Sequence, residues 1–254
     1  MLQARVIPCL QIIEGGLYKT TQFKNPKYIG DPINAVKIFN EKEVDELMVL
    51  DITASKSNRE PNYELLKQLA SECFMPLSYG GGINNFKQAS QLFELGIEKI
   101  AINTAAITNS KLISEIVQVY GNQSIIVSID IKKNFFGKPC IYTNNGTKNT
   151  GLDLFVYLEK LESLGVGELL ITDIDREGKW SGYNIDLLKS ITDKVKMPVL
   201  INGGCGNIDH ISDAINIGKA NGAVVGSMAV YQKQGMGVLI SFPKYSDLEK
   251  VLNL

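Results

Sequence analysis

Two segments of this chain repeat one another at a separation of 122 residues. DELMVLDI at 45–52 matches GELLITDI at 167–174, which pairs Glu46 with Glu168 and Asp51 with Asp173. The same separation relates Pro76 to Pro198, Gly81 to Gly203, Gly82 to Gly204 and Gly96 to Gly218. Self-similarity at a fixed separation indicates that both halves follow one structural plan. The fold therefore has to accommodate an approximate twofold axis.

Each half alternates short apolar runs with longer amphipathic segments. Runs rich in Val, Ile and Leu predict strands at 6–13, 46–51, 76–79, 98–103, 124–130, 168–173, 197–202 and 222–226. Helical periodicity lies between and after them at 32–43, 61–73, 84–95, 108–120, 151–164, 183–195, 207–218 and 244–253. Strands that alternate with helices run parallel and are joined by right-handed crossovers. The pattern predicts one domain over 1–254, a (β/α)8 TIM barrel with an internal half-barrel repeat. An open doubly wound sheet is the alternative, and eight strands favour the barrel.

Composition excludes several classes of function. The net charge of −1 gives no electrostatic reason to expect nucleic acid or a membrane surface as a partner. The four cysteines, Cys9, Cys73, Cys140 and Cys205, form no CxxC pattern and predict a reduced, cytoplasmic protein. A single histidine, His210, leaves no basis for a multi-histidine zinc site or a histidine triad, and we predict it on a helix surface. We expect neither a metal nor a cofactor.

Glycine-rich turns follow the predicted third and seventh strands. YGGGIN at 79–84 and INGGCGN at 201–207 precede helices, and INTAA at 102–106 and VGSMA at 225–229 end the neighbouring strands with a hydroxyl. Glycine lets backbone N–H groups approach an anion, and the start of a helix adds favourable potential. The turns predict two repeat-related phosphate sites for a ligand with a phosphate at each end, with tight turns that need glycine for geometry as the alternative. Lys19, in the long polar connection 14–30, either covers a phosphate or is solvated.

One candidate acid–base residue stands at the end of the predicted fifth strand. Asp130 occupies that end, and the repeat, here at a separation of 119, pairs it with Gln11 at the end of the first strand. Two facing carboxylates would suit a reaction that needs one acid and one base. Glutamine exchanges no proton near neutral pH, although its amide can hydrogen-bond a ligand. Other acids near strand ends, such as Asp51 and Glu177, are more often helix caps or partners of lysine.

Four charged residues begin strands at the opposite, N-terminal face of the barrel. Arg5, Glu46, Lys99 and Glu168 begin the first, second, fourth and sixth predicted strands. Alternate strands of a (β/α)8 barrel contribute inward side chains to one layer, so the last three should lie level with one another. The residues alone favour a salt-bridged plug over a charge ring that gates the bore.

Motifs along nearly the whole chain resemble the cyclase (HisF-type) subunit of imidazole glycerol phosphate synthase. GDPINAVKIFNEKEVDEL, LDITAS, YGGGI, INTAA, SIDIK, TDIDREGKWSGY and GGCGN occur in the order of that family. The resemblance implies a barrel docked on a glutaminase subunit, with ammonia entering the N-terminal face through a charged ring and crossing the bore. At the other face, ammonia would attack a bis-phosphorylated ribonucleotide to give imidazole glycerol phosphate and an aminoimidazole carboxamide ribotide.

The resemblance also assigns roles to residues of this chain. It implies an ammonia gate at Arg5, Glu46, Lys99 and Glu168, which reverses the preference for a plug. It implies phosphate sites at Gly82, Asn103, Thr104, Gly203, Gly204, Gly226 and Ser227, and one catalytic aspartate at Asp130.

Two features depart from the cyclase pattern. The usual CLDV-DG is CLQIIEGG here, so Gln11 stands where the second catalytic aspartate belongs, and the tail VYQKQGMGVLISFPKYSDLEKVL is unlike that of a cyclase. Both departures resemble HisF-like proteins associated with glycosyl amidation in bacterial surface-polysaccharide pathways. There the barrel and its glutaminase pass ammonia to a separate ATP-dependent amidotransferase that makes an acetamidino sugar.

We therefore expect an ammonia-conducting barrel that no longer closes an imidazole ring. One alternative is a histidine-pathway cyclase in which another acid, such as Glu14 or Asp51, replaces the missing aspartate. The other is a non-catalytic activator of the glutaminase.

Overall fold

The computed structural model describes residues 4–252, in which strands and helices alternate along the chain. In chain order the elements are β1 (Arg5–Ile13), β2 (Gly16–Thr21), β3 (Lys24–Gly30), α1 (Pro32–Glu41), β4 (Leu47–Asp51), α2 (Tyr63–Glu72), β5 (Leu77–Gly80), α3 (Phe86–Glu94), β6 (Lys99–Ile102), α4 (Thr104–Thr108), α5 (Lys111–Tyr120), β7 (Ile125–Lys133), β8 (Pro139–Thr143), β9 (Lys148–Asn149), α6 (Leu154–Ser163), β10 (Glu168–Asp173), α7 (Ile185–Thr192), β11 (Val199–Asn202), α8 (Ile208–Ser212), β12 (Gly222–Val225), α9 (Ser227–Val230) and α10 (Tyr245–Leu252). A 3-10 turn at Asn122–Ser124 precedes β7, and a π-helical turn at Asp213–Ile217 extends α8.

Eight parallel strands close into a barrel, which confirms the predicted (β/α)8 fold. Neighbours around the barrel are β1, β4, β5, β6, β7, β10, β11 and β12, and β12 pairs with β1 to close it. Each predicted strand overlaps one of these eight. Both faces of the strands are buried, because helices cover the outside and side chains fill the bore. No helix within residues 4–252 is long and apolar enough to cross a bilayer.

The two long connections after β1 and β7 form additional strands. Residues 14–30 form β2 and β3, and residues 132–150 include β8 and β9, both as antiparallel extensions at the rim of the barrel. Strands that extend past the barrel need partners for their backbone groups, and folding back on the same chain supplies them. The predicted helix 108–120 corresponds to α5, and a separate short helix, α4, precedes it across Asn109 and Ser110.

Hydrogen bonds repeat between the two halves, as the sequence repeat predicts. The N–H of Leu47 donates to the carbonyl of Pro76 at 2.9 Å, and 122 residues later Leu169 donates to Pro198 at 2.9 Å. The asparagine N-caps repeat as well, at Asn62 and Asn184 and at Asn85 and Asn207. Equivalent turns therefore bring equivalent residues to the barrel ends.

The bore between the two ends is apolar. Its buried side chains are Ile7, Cys9, Met48, Ala101, Ile126, Leu170, Leu200 and Val224. Burial raises the pKa of Cys9 to about 12, so this thiol stays neutral at physiological pH. One buried polar side chain lies between the ends: Ser78 pairs with the bore residue Met48 in the strand register and donates to the carbonyl of Leu47 at 3.3 Å. The charged groups of the barrel axis lie at its ends.

Candidate functional site

A cavity of about 100 Å³ opens where the carboxyl ends of the strands meet, at the end that we call the mouth. The predicted catalytic and first phosphate-site residues line it together, namely Gln11, Gly82, Asn103, Thr104 and Asp130. Ligands of parallel α/β barrels bind at this end, which is built from the loops after the strands. The structure thus brings into one cavity the residues that the sequence pairs across the repeat.

Asp130 is a buried carboxylic acid at the mouth. Its Oδ2 accepts a hydrogen bond from Asn103 Nδ2 at 3.2 Å, and the same amide donates to the carbonyl of Ser128 at 3.0 Å. Burial raises the pKa of Asp130 to about 7, because the ionised form is poorly solvated. Near neutral pH the carboxyl can therefore either give or take a proton.

Gln11 faces the same cavity, and both its amide oxygen and its amide nitrogen hydrogen-bond within the protein. Its Oε1 accepts from the backbone N–H of Thr20 at 3.0 Å and from Thr20 Oγ1 at 3.1 Å. Its Nε2 donates to Glu177 Oε1 at 3.3 Å. The side chain is only 7% exposed. Gln11 thus joins β1 to the hairpin β2–β3 and to the loop after β10, and it has no proton to exchange.

Glu177 is the centre of this arrangement, and we call Gln11, Lys19, Thr20 and Glu177 the Glu177 cluster. Lys19 Nζ forms a buried ion pair with Glu177 Oε1 and donates to the carbonyl of Thr20 at 2.9 Å. Thr20 Oγ1 lies 3.1 Å from Oε1 as well as from Gln11 Oε1, so its one proton is shared between these two acceptors. The N–H of Phe23 donates to Oε2 at 3.1 Å. Lys19 is 5% exposed, so the alternative of a solvated loop lysine is wrong.

Lys19 also lies beside the predicted second phosphate site. A small cavity of about 20 Å³ is lined by Lys19, Gly203, Gly204, Gly226 and Ser227. It borders the mouth cavity, because Gln11 and Asn202 line both. Whether Lys19 holds a phosphate here remains a prediction, and its present partner is a carboxylate.

Geometry alone accounts for two of the repeat-related glycines. Gly81 has φ +124° and Gly203 has φ +95°, a region that favours glycine. A Cβ at these positions would lie 2.4 Å from the carbonyl oxygen of Asp51 and 2.6 Å from that of Asp173. These turns therefore need glycine with or without a ligand. Any case for phosphate binding depends on the neighbouring hydroxyls, amides and Lys19.

The four charges predicted at the N-terminal face form one connected ring. Arg5 Nη1 lies 2.7 Å from Glu46 Oε2, and Arg5 Nη2 lies 2.7 Å from Glu168 Oε1. Lys99 Nζ lies 3.1 Å from Glu46 Oε2 and 3.2 Å from Glu168 Oε2. We call these four residues the basal ring. As predicted, Lys99 is level with both glutamates.

Burial and pairing act in opposite directions in the basal ring. Burial raises the pKa of Glu46, although Lys99 and Arg5 partly offset this effect. Burial lowers the pKa of Arg5, but Glu168 and Glu46 outweigh it and raise that pKa above the ordinary value. Glu46 Oε1 is buried and has no hydrogen-bond partner among the described residues. Glu46 therefore holds both Arg5 and Lys99 through Oε2 alone.

Comparison with known proteins places this geometry in a family. A family model described as "Histidine biosynthesis protein" matches residues 5–235. A relative from Pseudomonas aeruginosa, provisionally named imidazole glycerol phosphate synthase subunit hisF2, is 45% identical over 249 residues, covering 98% of this chain and 99% of the relative. The chain belongs to the HisF family. A provisionally named HisF subunit from Leptospira borgpetersenii is 46% identical over 250 residues, with 98% of both chains covered. The imidazole glycerol phosphate synthase subunit HisF of Methanococcus maripaludis is 38% identical over 253 residues, covering 92% of this chain and 93% of the relative.

Sequence reasoning missed several polar residues of this HisF-family barrel. Thr20 in the Glu177 cluster, and Ser128, Thr172 and Asn202 at the mouth, were not among the candidates. Inward positions alternate along a strand, so Ser128 follows from Asp130 two residues later on β7. Counting likewise from Glu168 gives Thr172 on β10, so that signal could have found two of the four.

His210 lies on α8, as predicted, and is half-buried. Its Nδ1 accepts from the N–H of Gly206 at 3.1 Å. The histidine therefore fixes the turn after β11. Residues 4–252 contain no group of three or more metal-binding side chains.

Proposed function

We propose that this HisF-family barrel receives ammonia from a HisH-type glutaminase subunit at its N-terminal face and releases it at the mouth without cyclising a substrate. The single observation that carries the proposal is the state of Gln11. Its amide stands where the family resemblance implies a catalytic aspartate, and both of its polar ends are hydrogen-bonded inside the Glu177 cluster. Losing one acid–base group costs about 10²–10⁴-fold in rate.

The remaining geometry supports conduction. The basal ring closes one end of the barrel through charge pairs, and the apolar bore leads from it to the mouth. Neutral ammonia can pass an apolar passage, whereas burying an ammonium ion without a partner costs several kcal/mol. A ring that opens on docking of the glutaminase would admit the neutral form and exclude the ion.

Acetamidino-sugar formation in surface-polysaccharide synthesis is the destination that we propose for the ammonia. Four relatives with provisional names share 44–46% identity with this chain, against 36–38% for four named plainly as HisF. Two of the former carry the designations hisF2 and hisF3, which fits a HisF-like chain distinct from a first one. The tail from residue 231 onward, unlike that of a cyclase, supports the same branch.

A histidine-pathway cyclase is the second candidate, and Asp130 favours it. A carboxyl with a pKa of about 7 in a cavity with Asn103 and Thr104 is suited to acid–base work on a phosphorylated ligand. Of the two candidate substitutes for the second acid, Asp51 lines this cavity and Glu14 does not. Asp51 accepts from the N–H groups of Thr53 and Ala54, and Glu14 is exposed on a turn.

The test is transfer of labelled nitrogen through the bore. Barrel, glutaminase and the ATP-dependent sugar amidotransferase are supplied with glutamine labelled at its amide nitrogen, in a buffer that contains unlabelled ammonium. Label in the amidated sugar above the level set by mixing with the buffer indicates conduction. Ala101→Phe should abolish this excess while glutamine hydrolysis persists, because Ala101 lies in the bore two residues beyond Lys99 of the basal ring and lines the mouth cavity. Ala101→Ser is the matched control.

Two outcomes contradict the proposal. Excess label that survives Ala101→Phe would show that the ammonia follows a protected route outside the bore. Absence of excess label with the wild-type barrel, while glutamine hydrolysis continues, would favour the third candidate, an activator that only switches on the glutaminase. Glutaminase activation by the variant reports that it still folds and docks, since overpacking a core costs about 1–3 kcal/mol.

A further inference from the structure

Large apolar side chains are exposed at the tip of the hairpin β7–β8. Phe135 is 97% exposed and Phe136 is 88% exposed, and their rings contact each other edge to face with centroids 5.6 Å apart. Exposing two adjacent phenylalanine side chains to water is unfavourable in free energy, and an exposed aromatic cluster usually marks an interaction site. Nothing in the proposed catalytic or conducting machinery uses them.

The turn that carries the two phenylalanines is fixed by four hydrogen bonds. The N–H of Asn134 donates to Lys138 O and that of Gly137 to Asn134 O, both at 2.9 Å. The side-chain oxygen of Asn134 accepts from the N–H of Phe136 at 3.0 Å and from that of Lys138 at 2.9 Å. Because the tip is ordered before any partner arrives, little entropy is lost when it binds.

Exposed apolar side chains from two further connections lie at the same end of the barrel. Tyr28 stands on β3, and Met236 and Leu239 follow β12. Together with Phe135 and Phe136 they belong to three separate connections at the carboxyl ends of barrel strands. We call these five residues the mouth rim. An apolar surface formed by several loops fits a folded protein partner better than a lipid bilayer, which a single loop could enter.

Positive charge is concentrated in the connections at the mouth end of the barrel. The connections 14–31, 52–62, 132–153, 174–184 and 226–244 hold thirteen lysines and arginines against six aspartates and glutamates, or nine when the strand-end residues Asp51, Asp130 and Asp173 are included. The whole chain holds 26 against 27, so the remaining residues are acidic. The near-zero net charge hides a basic face, whose field favours an acidic surface.

We infer that the mouth rim docks the enzyme that consumes the ammonia, through an apolar surface of that enzyme bordered by acidic residues. The inference rests on the proposed function and names its partner surface. Ammonia released into neutral water becomes ammonium and is diluted, so a partner sealed on the mouth is needed to receive the neutral form. The tip aromatics would supply the anchoring contacts, since aromatic side chains dominate the binding energy of many interfaces.

The experiment uses the intact barrel–glutaminase complex and the purified ATP-dependent sugar amidotransferase of the same organism. Affinity is measured by titration for the wild type, for the double variant Phe135→Ser, Phe136→Ser, and for Val119→Ser, which removes an exposed apolar side chain from α5 away from the mouth. We expect the double variant to raise Kd at least tenfold and Val119→Ser to leave Kd unchanged. Glutamine hydrolysis and amidation driven by free ammonia should stay at wild-type rates in both.

Several results would overturn the inference. Equal Kd values for the wild type and the double variant would do so while leaving the proposed function standing, provided that labelled nitrogen still reaches the sugar. Tight binding of the wild type to phosphatidylglycerol vesicles or to RNA, without binding to the amidotransferase, would assign the rim to a lipid surface or a nucleic acid. A wild-type complex that delivers no ammonia and turns over the bis-phosphorylated ribonucleotide would remove the proposed function itself.

Discussion

Changing Gln11 to glutamate alters one atom and places a second carboxylate inside the Glu177 cluster. In the wild type, Gln11 Nε2 donates to Glu177 Oε1 at 3.3 Å. In Gln11→Glu an ionised oxygen takes the place of that nitrogen. Two unit charges 3.3 Å apart repel by about 5 kcal/mol at an effective dielectric constant of 20. Lys19 already pairs with Glu177, so it offsets only part of this repulsion.

The protein can escape the repulsion by keeping the new carboxyl protonated. Holding a glutamate with an ordinary pKa near 4.3 in its neutral form at pH 7 costs about 3.7 kcal/mol, which sets an upper bound. We therefore expect Gln11→Glu to lower the free energy of unfolding by about 2–4 kcal/mol at pH 7. For a chain of this size that corresponds to a fall in Tm of roughly 5–15 °C.

The pH dependence identifies the cause. The folded-state pKa of the introduced carboxyl is raised above its unfolded value, so the penalty is absent below about pH 4, grows as pH rises, and levels off above the folded-state pKa. Urea unfolding of the wild type and the variant at pH 7 and pH 4.5 measures this loss of stability. Gln11→Met, which removes the same hydrogen bonds without a charge, should lose stability equally at both pH values. A pH-independent loss in Gln11→Glu would refute the reasoning.

Three further changes test other parts of the structure. Asp130→Asn should raise the free energy of unfolding by about 2–4 kcal/mol at pH 8 and leave it unchanged near pH 4. The reason is that the raised pKa of Asp130 makes the wild type lose stability as the pH rises between those values. Urea titrations of both proteins at the two pH values measure the change in unfolding free energy. Arg5→Met should cost about 2–4 kcal/mol in a urea titration at pH 7, since it removes one of the two cations that compensate Glu46; a neutral effect would contradict the ring. Gly203→Ala should lower the free energy of unfolding by about 1–3 kcal/mol, because its positive φ strains an alanine and the carbonyl of Asp173 lies too close to a Cβ. Gly235→Ala should lower it less, because Gly235 also has a positive φ but has open space around it. Equal Tm values for these two glycine variants would show that the close carbonyl is not what matters.

The fold could be predicted from the sequence because its signals are local and repeated. Continuous apolar runs at regular intervals specify buried parallel strands, and the repeat gives the same turns twice. The two hairpins were missed because polar extensions at a barrel rim carry no apolar alternation. Their strands are held by pairing with neighbouring backbone rather than by burial.

The site could be predicted in part. Gln11 and Asp130 were placed at one mouth by strand position and repeat, and the structure puts them in one cavity. The Glu177 cluster could not be anticipated, since Lys19 and Glu177 are 158 residues apart and meet only when the first hairpin folds over the mouth. Charge segregation between the barrel ends was hidden in a net charge of −1 and became visible only once the loops were assigned to the mouth.

The central claim is that this barrel conducts ammonia and no longer cyclises. The most direct test is turnover of the bis-phosphorylated ribonucleotide with free ammonia at pH 8 by the purified barrel, measured beside the HisF of Methanococcus maripaludis. We predict a rate at least about 100-fold below that of the relative, because Gln11 supplies no proton. Turnover at a comparable rate would contradict the account.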